Sequence, residues 1–234
     1  TTSLRRKMLD AVGAINEEAY KEVGDPETLT RIAQYEMAFR MQASVPKLID
    51  ISDEPKHVLD LYGTKGSDGS FAANCLLARR LVERGVRFIQ LYSGSGSKWD
   101  AHAKIEQNHT ARCQETDLPI AGLLQDLQQR GLLDETLVVF ATEFGRTPGS
   151  QGGNGRDHHP YGFSVWMAGG GLQPGVLGAS NSRGEVPARQ AYRPENVLAM
   201  LYRHLGIDWR QHAVDKMGQP VPILPDGEPI AELI

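Results

Sequence analysis

The chain has 234 residues, 40% of them hydrophobic and 23% charged, with 25 glycines. This describes an ordinary globular protein able to bury one sizeable core, and it holds more glycine than a helical bundle would want. A net charge of -4 offers no field to draw nucleic acid or an anionic membrane, and no run of ~18 apolar residues is present for a transmembrane span.

From Ser3 to Val23 apolar residues recur at helical spacing (Leu4, Met8, Val12, Ile15), and Gly24 supplies a stop. The start, Thr1 to Lys7, is no signal peptide, because no apolar segment follows it. Asp25-Pro26-Glu27 opens a second helix as cap, first turn and dipole-matched acid, and the pattern runs to about Ser44. Ser52 to His57 reads as a cap and first turn leading to Tyr62, with Gly63 as its stop. The region 1–62 is therefore a helical part packed on a larger single domain that spans 1–234.

Ser70 to Glu83 reads as a helix, Gly85 ends it, and Val86 to Tyr92 reads as a buried strand. The next stretch is glycine- and serine-rich and flexible through Gly96, then carries Trp99, Asp100 and His102. A helix follows from about Thr110 to Arg130, which Pro119 starts or kinks. Thr136 to Thr142 is a strand ending on Glu143, and Phe163 to Ala168 is another. The long polar loop between them bears Glu143 and Arg146 at one end and Asp157, His158 and His159 at the other. Structureless loops of this length are uncommon and are usually functional or disordered. A helix from Arg193 to Leu205 precedes a proline-rich tail that reads as a surface strap. Cys75 and Cys113 are far apart within helical patterns, as buried reduced thiols would be.

The alternation of helices and apolar runs predicts an α/β fold, a three-layer α/β/α arrangement with a mostly parallel mixed sheet. The loop after Glu143 has too many Gly and Pro residues for a crossover helix, so one strand, about 163–168, is expected to run antiparallel. That reversal returns Asp157 and His158 to the sheet edge where Asp100, His102 and Glu143 lie. Ligands of open α/β sheets sit at the carboxyl ends of strands.

Mixed carboxylate and imidazole ligands suit a divalent metal, zinc first, with manganese or calcium as alternatives. Asp100 and His102 are two apart, so on an extended backbone both face one way. Glu143 could add an oxygen and His158 a nitrogen; His159, its neighbour, then faces away. Arg146 suits an anionic oxygen, and Asp157 could orient a ligand. Taken one at a time these motifs read better as structure than as chemistry: Asp-x-His recurs by chance, and Arg156 with Asp157 could be a surface ion pair. Only their convergence on one edge favours a metal centre. Glu106-x-x-His109 has no second copy and reads as a solvated helix face, and His204 and His212 read as structural or exposed.

Trp99-Asp-Ala-His102, the run Leu137 to Pro148, Gly155-Arg-Asp-His-His-Pro160 and Trp166 to Gly171 together resemble a bacterial domain-of-unknown-function family, number 1501, which is similar to alkaline phosphatases and sulfatases. The resemblance spans roughly Phe71 to Gly206. It implies a metal-dependent hydrolase acting on a small-molecule or glycan phosphate or sulfate ester, with Asp100, His102, Glu143 and His158 as ligands. It also implies an export signal and an extracytoplasmic home. Glu143-Phe144 stands where that superfamily often has Asp-His, so this chain lacks one imidazole of the superfamily's second zinc site. The superfamily's first strand and its nucleophile lie upstream of anything seen here, so the chain resembles a carboxyl-terminal portion lacking that strand. The competing reading is a noncatalytic protein that keeps the fold without a nucleophile and binds an anion or a glycan. Oligomeric state is not written in the sequence.

Overall fold

The structure, a computed structural model, describes residues 2–94, 96–215 and 217–234. Thr1 and Ser95, which fall within the expected start and flexible loop, lie outside the described residues. The chain divides into two compact units, Thr1–Glu54 and Pro55–Ile234.

The first unit is a pair of helices, α1 (Thr2–Val23) and α2 (Pro26–Ile49), packed on each other. Gly24 turns the chain at φ 71, a left-handed angle that suits glycine, and the Asp25 carboxylate accepts the Glu27 N–H at 3.0 Å. Arg6 joins the helices through Glu36 at 2.8 Å. Helix α2 continues beyond the expected end near Ser44 to Ile49, with Pro46 inside it and the Pro46 carbonyl accepting the Asp50 N–H. Leu4, Met8, Val12 and Ile15, the stripe on which α1 was recognised, stay exposed.

The second unit is built on α3 (Lys56–Tyr62), α4 (Phe71–Glu83) and α5 (Ile105–Gln129). Their shared core holds Tyr62, Cys75, Leu76, Leu123 and Leu127. Helix α5 crosses the end of α3 at Gly122, where a Cβ would stand 2.6 Å from the Leu61 carbonyl oxygen, so the backbones meet without a side chain between them. A buried polar set lies in the same layer. Asp126 receives Arg79 and the Tyr62 hydroxyl, each at 3.0 Å, on one oxygen, and Arg130 at 2.6 Å on the other. Glu83 ties both arginines at 2.7 Å.

Beyond α5 the chain forms short strands: β1 (Leu137–Phe140), β2 (Gly145–Arg146), β3 (His158–His159), β4 (Trp166–Gly169), β5 (Ala179–Ser180) and β6 (Pro187–Arg189). Helix α6 (Pro194–His204), β7 (His212–Val214) and β8 (Pro220–Pro222) complete it. The tail returns over α6, where the Ile230 N–H meets the Met200 sulfur at 3.3 Å.

The expected three-layer α/β/α architecture with a mostly parallel sheet does not form. Among the described residues the strands make four separate antiparallel pairs, β1 with β4, β2 with β3, β5 with β6 and β7 with β8. The chain does reverse between 137–140 and 166–169, but the result is a two-stranded ribbon and not the edge of a parallel sheet. Val86 to Tyr92, expected as a buried strand, has no ladder partner among the described residues, and its Val86, Phe88 and Tyr92 side chains are exposed. The physical reason is that an apolar run encodes a preference for extended backbone but not the identity of a neighbour. A parallel neighbour needs a crossover of a dozen or more residues to bring it alongside. No helix among the described residues is long and apolar enough to cross a membrane.

Candidate metal centre

Two loops that are remote in sequence build the site. The first runs from Ser97 to Lys104: Asp100 N–H donates to the Ser97 carbonyl at 3.0 Å, and Ala101, buried, anchors the turn. The second runs from β2 to β3 and folds on itself through a bridge between Gln151 and Gly155. It docks on the first by backbone bonds, Arg156 N–H to the Ala101 carbonyl at 3.0 Å and Ile105 N–H to the Asn154 carbonyl at 3.2 Å. The Asn154 side chain also accepts the Lys104 N–H at 2.9 Å, where Lys104 holds a left-handed φ of 52. Contact is so close at Gly155 that any Cβ there would overlap the His102 carbonyl. Only glycine lets the second loop lie against the first.

The β2–β3 pair sets which side chains face inward. Arg146 is directly opposite His158, so both project from the same face, while His159, one residue on, projects from the other. His158 accordingly reaches Asp100, and His159 Nε2 goes instead to the Glu185 carbonyl at 2.6 Å.

Asp100 Oδ1 is the focus. It lies 2.6 Å from Arg146 Nη1, 2.9 Å from His102 Nε2 and 3.0 Å from His158 Nε2. The ligand atoms of Asp100, His102 and His158 all fall within 4.8 Å of one another. The Arg146 guanidinium, and after it His158, hold the Asp100 carboxyl below the usual carboxylate range. The Phe144 ring backs the site, with its centroid 4.4 Å from that of His158 and 5.7 Å from the Arg146 guanidinium carbon.

A second layer orients His102. Its Nδ1 is 2.7 Å from Gln151 Oε1, an acceptor only, so Nδ1 carries the proton and Nε2 is aimed at Asp100. Asp157 stands behind: its Oδ1 is 3.8 Å from His102 Nδ1, its Oδ2 accepts from Gln151 at 3.3 Å, and its backbone is clamped to Thr147. Glu143 is not gathered in. It is exposed and lies outside the Asp100, His102 and His158 group, because the backbone after β1 turns before β2 begins. Gln151 and Asn154 were not singled out from sequence, and Gly155 entered only as the first residue of the Gly155–Pro160 motif. Nothing in the type of Gln151 marked it, and the glycines around Gly155 were read only as excluding a crossover helix, not as a close approach of two backbones.

These donors fit a divalent ion. One carboxylate and two imidazoles make a three-ligand set with an open position, as in catalytic zinc sites. Zinc bonds of ~2.0–2.2 Å in a tetrahedron put ligand atoms about 3.3 Å apart, so the two contacts to Asp100 would open by about 0.4 Å, and the two imidazole nitrogens, within 4.8 Å of each other, would take the same spacing. An imidazole nitrogen facing a carboxylate is attractive only when a proton or a shared cation lies between them. All three side chains are part-exposed, from 29% for Asp100 to 46% for His158, so a solute can reach the open side.

Comparison with curated proteins finds no match, and comparison with solved structures finds none either. A family model does match, and it does so over residues 1–234. The chain therefore belongs to the family described as "Protein of unknown function (DUF1501)".

Proposed function

We propose that the second unit is a metal-dependent hydrolase-like domain that acts on phosphate or sulfate esters, with Asp100, His102 and His158 holding the ion. The observation that carries this reading is the meeting of two imidazole nitrogens and one carboxylate oxygen from separate loops at one point. The motif likeness to alkaline phosphatases and sulfatases gives it a chemical class. Gln151 fixes the His102 tautomer, Asp157 holds Gln151, and Arg146 supplies a forked donor for an anionic ester oxygen. A divalent ion there would supply Lewis acidity toward that oxygen. Zinc suits the donors best. Glu143 has no part in this ligand set.

One observation favours a second reading. His102 and His158 are nearly half exposed, so the site lacks the walls that exclude water in a closed catalytic pocket. A protein that binds a sulfated or phosphorylated glycan without cleaving it would tolerate such openness. Metal analysis of protein purified without chelators, with aryl phosphate and aryl sulfate assays, separates the readings. Turnover that disappears in Asp100→Ala supports the hydrolase; metal-dependent retention of the anion without turnover supports the binding protein. Protein that neither retains zinc, manganese or calcium nor is thermally stabilised by adding them contradicts both.

A further inference from the structure

Asp100 Oδ1 is crowded in one respect and Asp100 is under-used in another. A carboxylate oxygen offers about two lone-pair sites, yet Oδ1 faces three nitrogens, from Arg146, His102 and His158. Each contact given for the Asp100 carboxylate among the described residues falls on Oδ1. The shortest of the three contacts is the one to Arg146, at 2.6 Å. A divalent ion that takes His102 and His158 together must sit where these groups converge, against Oδ1. The guanidinium already holds that oxygen, and two cations on a single carboxylate oxygen repel each other.

The hold on Arg146 is light apart from this pair. Its other polar contact is to the Arg156 carbonyl at 3.5 Å, at the long limit of a hydrogen bond, and the Phe144 ring is 5.7 Å away. The side chain is part-exposed and long enough to swing, while its backbone is held opposite His158 by the β2–β3 pair. It can leave Asp100 without leaving the site.

We propose that Arg146 is an exchangeable cation: it occupies Asp100 while the site is metal-free, a divalent ion displaces it, and the released guanidinium becomes the arm that binds the anion. This rests on the metal reading above and adds a regulation to it. Cation and anion then load together, because the ion frees the arginine and a bound anion keeps the arginine from returning. Linkage makes the effect reciprocal, so the factor by which an anion raises metal affinity equals the factor by which metal raises anion affinity.

The test is zinc titration by calorimetry, with and without sulfate, on the wild-type chain, Arg146→Met and Arg146→Lys. Expected is a zinc affinity for Arg146→Met that exceeds wild type about fivefold or more without sulfate, the lower end of usual coupling factors. Sulfate should tighten zinc binding by wild type and leave Arg146→Met unchanged. Arg146→Lys, which keeps a cation beside Asp100, should bind zinc as weakly as wild type. Zinc bound by wild type with an affinity that sulfate does not alter overturns the exchange and leaves the metal reading standing, whether or not either variant folds. Zinc bound no more tightly by folded Arg146→Met does the same. Zinc bound by none of the three overturns the exchange and the metal reading together.

Discussion

Asp126 and Asp100 are both aspartates that collect arginine and further donors, and they serve opposite ends. Asp126 lies in the α3–α4–α5 layer at 3% exposure and uses both oxygens, one for Arg130 and one for Arg79 and Tyr62. Asp100 lies between two loops, part-exposed, and places all of its donors on Oδ1. In the first both carboxylate oxygens are taken and out of solvent, with neither left for a ligand. The second is reached by solvent, and its donors are two imidazoles able to ligate a metal and one arginine that a metal can displace. Saturation and burial, more than residue type, separate a carboxylate that holds a fold from one able to hold an ion.

The largest expected effect would break this contrast if it failed to appear. Asp126→Ala leaves Arg79 buried without its deeper carboxylate and removes the acceptor of the Tyr62 hydroxyl. Breaking a buried pair from one side costs about 3–5 kcal/mol, so the urea midpoint should fall sharply. Asp100→Ala should leave the unfolding transition close to wild type and abolish zinc binding. Equal loss of stability in both variants, by the same denaturation measurement, would show that the loop site is a structural tie as well.

A smaller effect sharpens the contrast within the loop site itself. Gln151 touches no ion in any arrangement proposed here, but it sets the proton on His102 Nδ1. Gln151→Ala should lower zinc affinity about 10- to 100-fold, the usual cost of removing a group that orients a metal-binding histidine, with little change in unfolding. An affinity within about twofold of wild type would mean that Asp157, at 3.8 Å from the same nitrogen, does the orienting instead.

How much of this was legible in the chain depends on the range over which each feature is encoded. Asp100-x-His102 is a local spacing, and the side chains do meet; His158 and His159 point apart because a strand alternates, which is also local. The reversal between β1 and β4 follows from a connection too rich in Gly and Pro to hold a crossover helix. What local pattern could not supply was partnership. Val86 to Tyr92 has the composition of a buried strand, yet no strand lies beside it among the described residues, so the parallel sheet built on it was misplaced. Glu143 looked well placed only as the end of such a strand. Arg79 and Asp126, on helices read only for their apolar stripes, found each other across 47 positions, a pairing that no helical period announces.

The smallest expected effect concerns one proton. Arg146 is the largest cause of the lowered Asp100 carboxyl, followed by His158, so removing the guanidinium should return the group toward its ordinary value. The sign follows from linkage. A carboxyl lowered by folding binds protons more readily in the unfolded chain, so it contributes stability that is present above the unfolded value of about 3.9 and is lost as pH falls through the lower folded value. Metal-free Arg146→Met should therefore show Asp100 titrating at higher pH than in wild type, by carbon-detected NMR of the carboxyl, and should lose less stability on acidification through that window. A titration of Asp100 that stays in place after Arg146→Met would mean that His102 and His158 alone hold the charge, and that the guanidinium is a bystander at the oxygen it touches most closely.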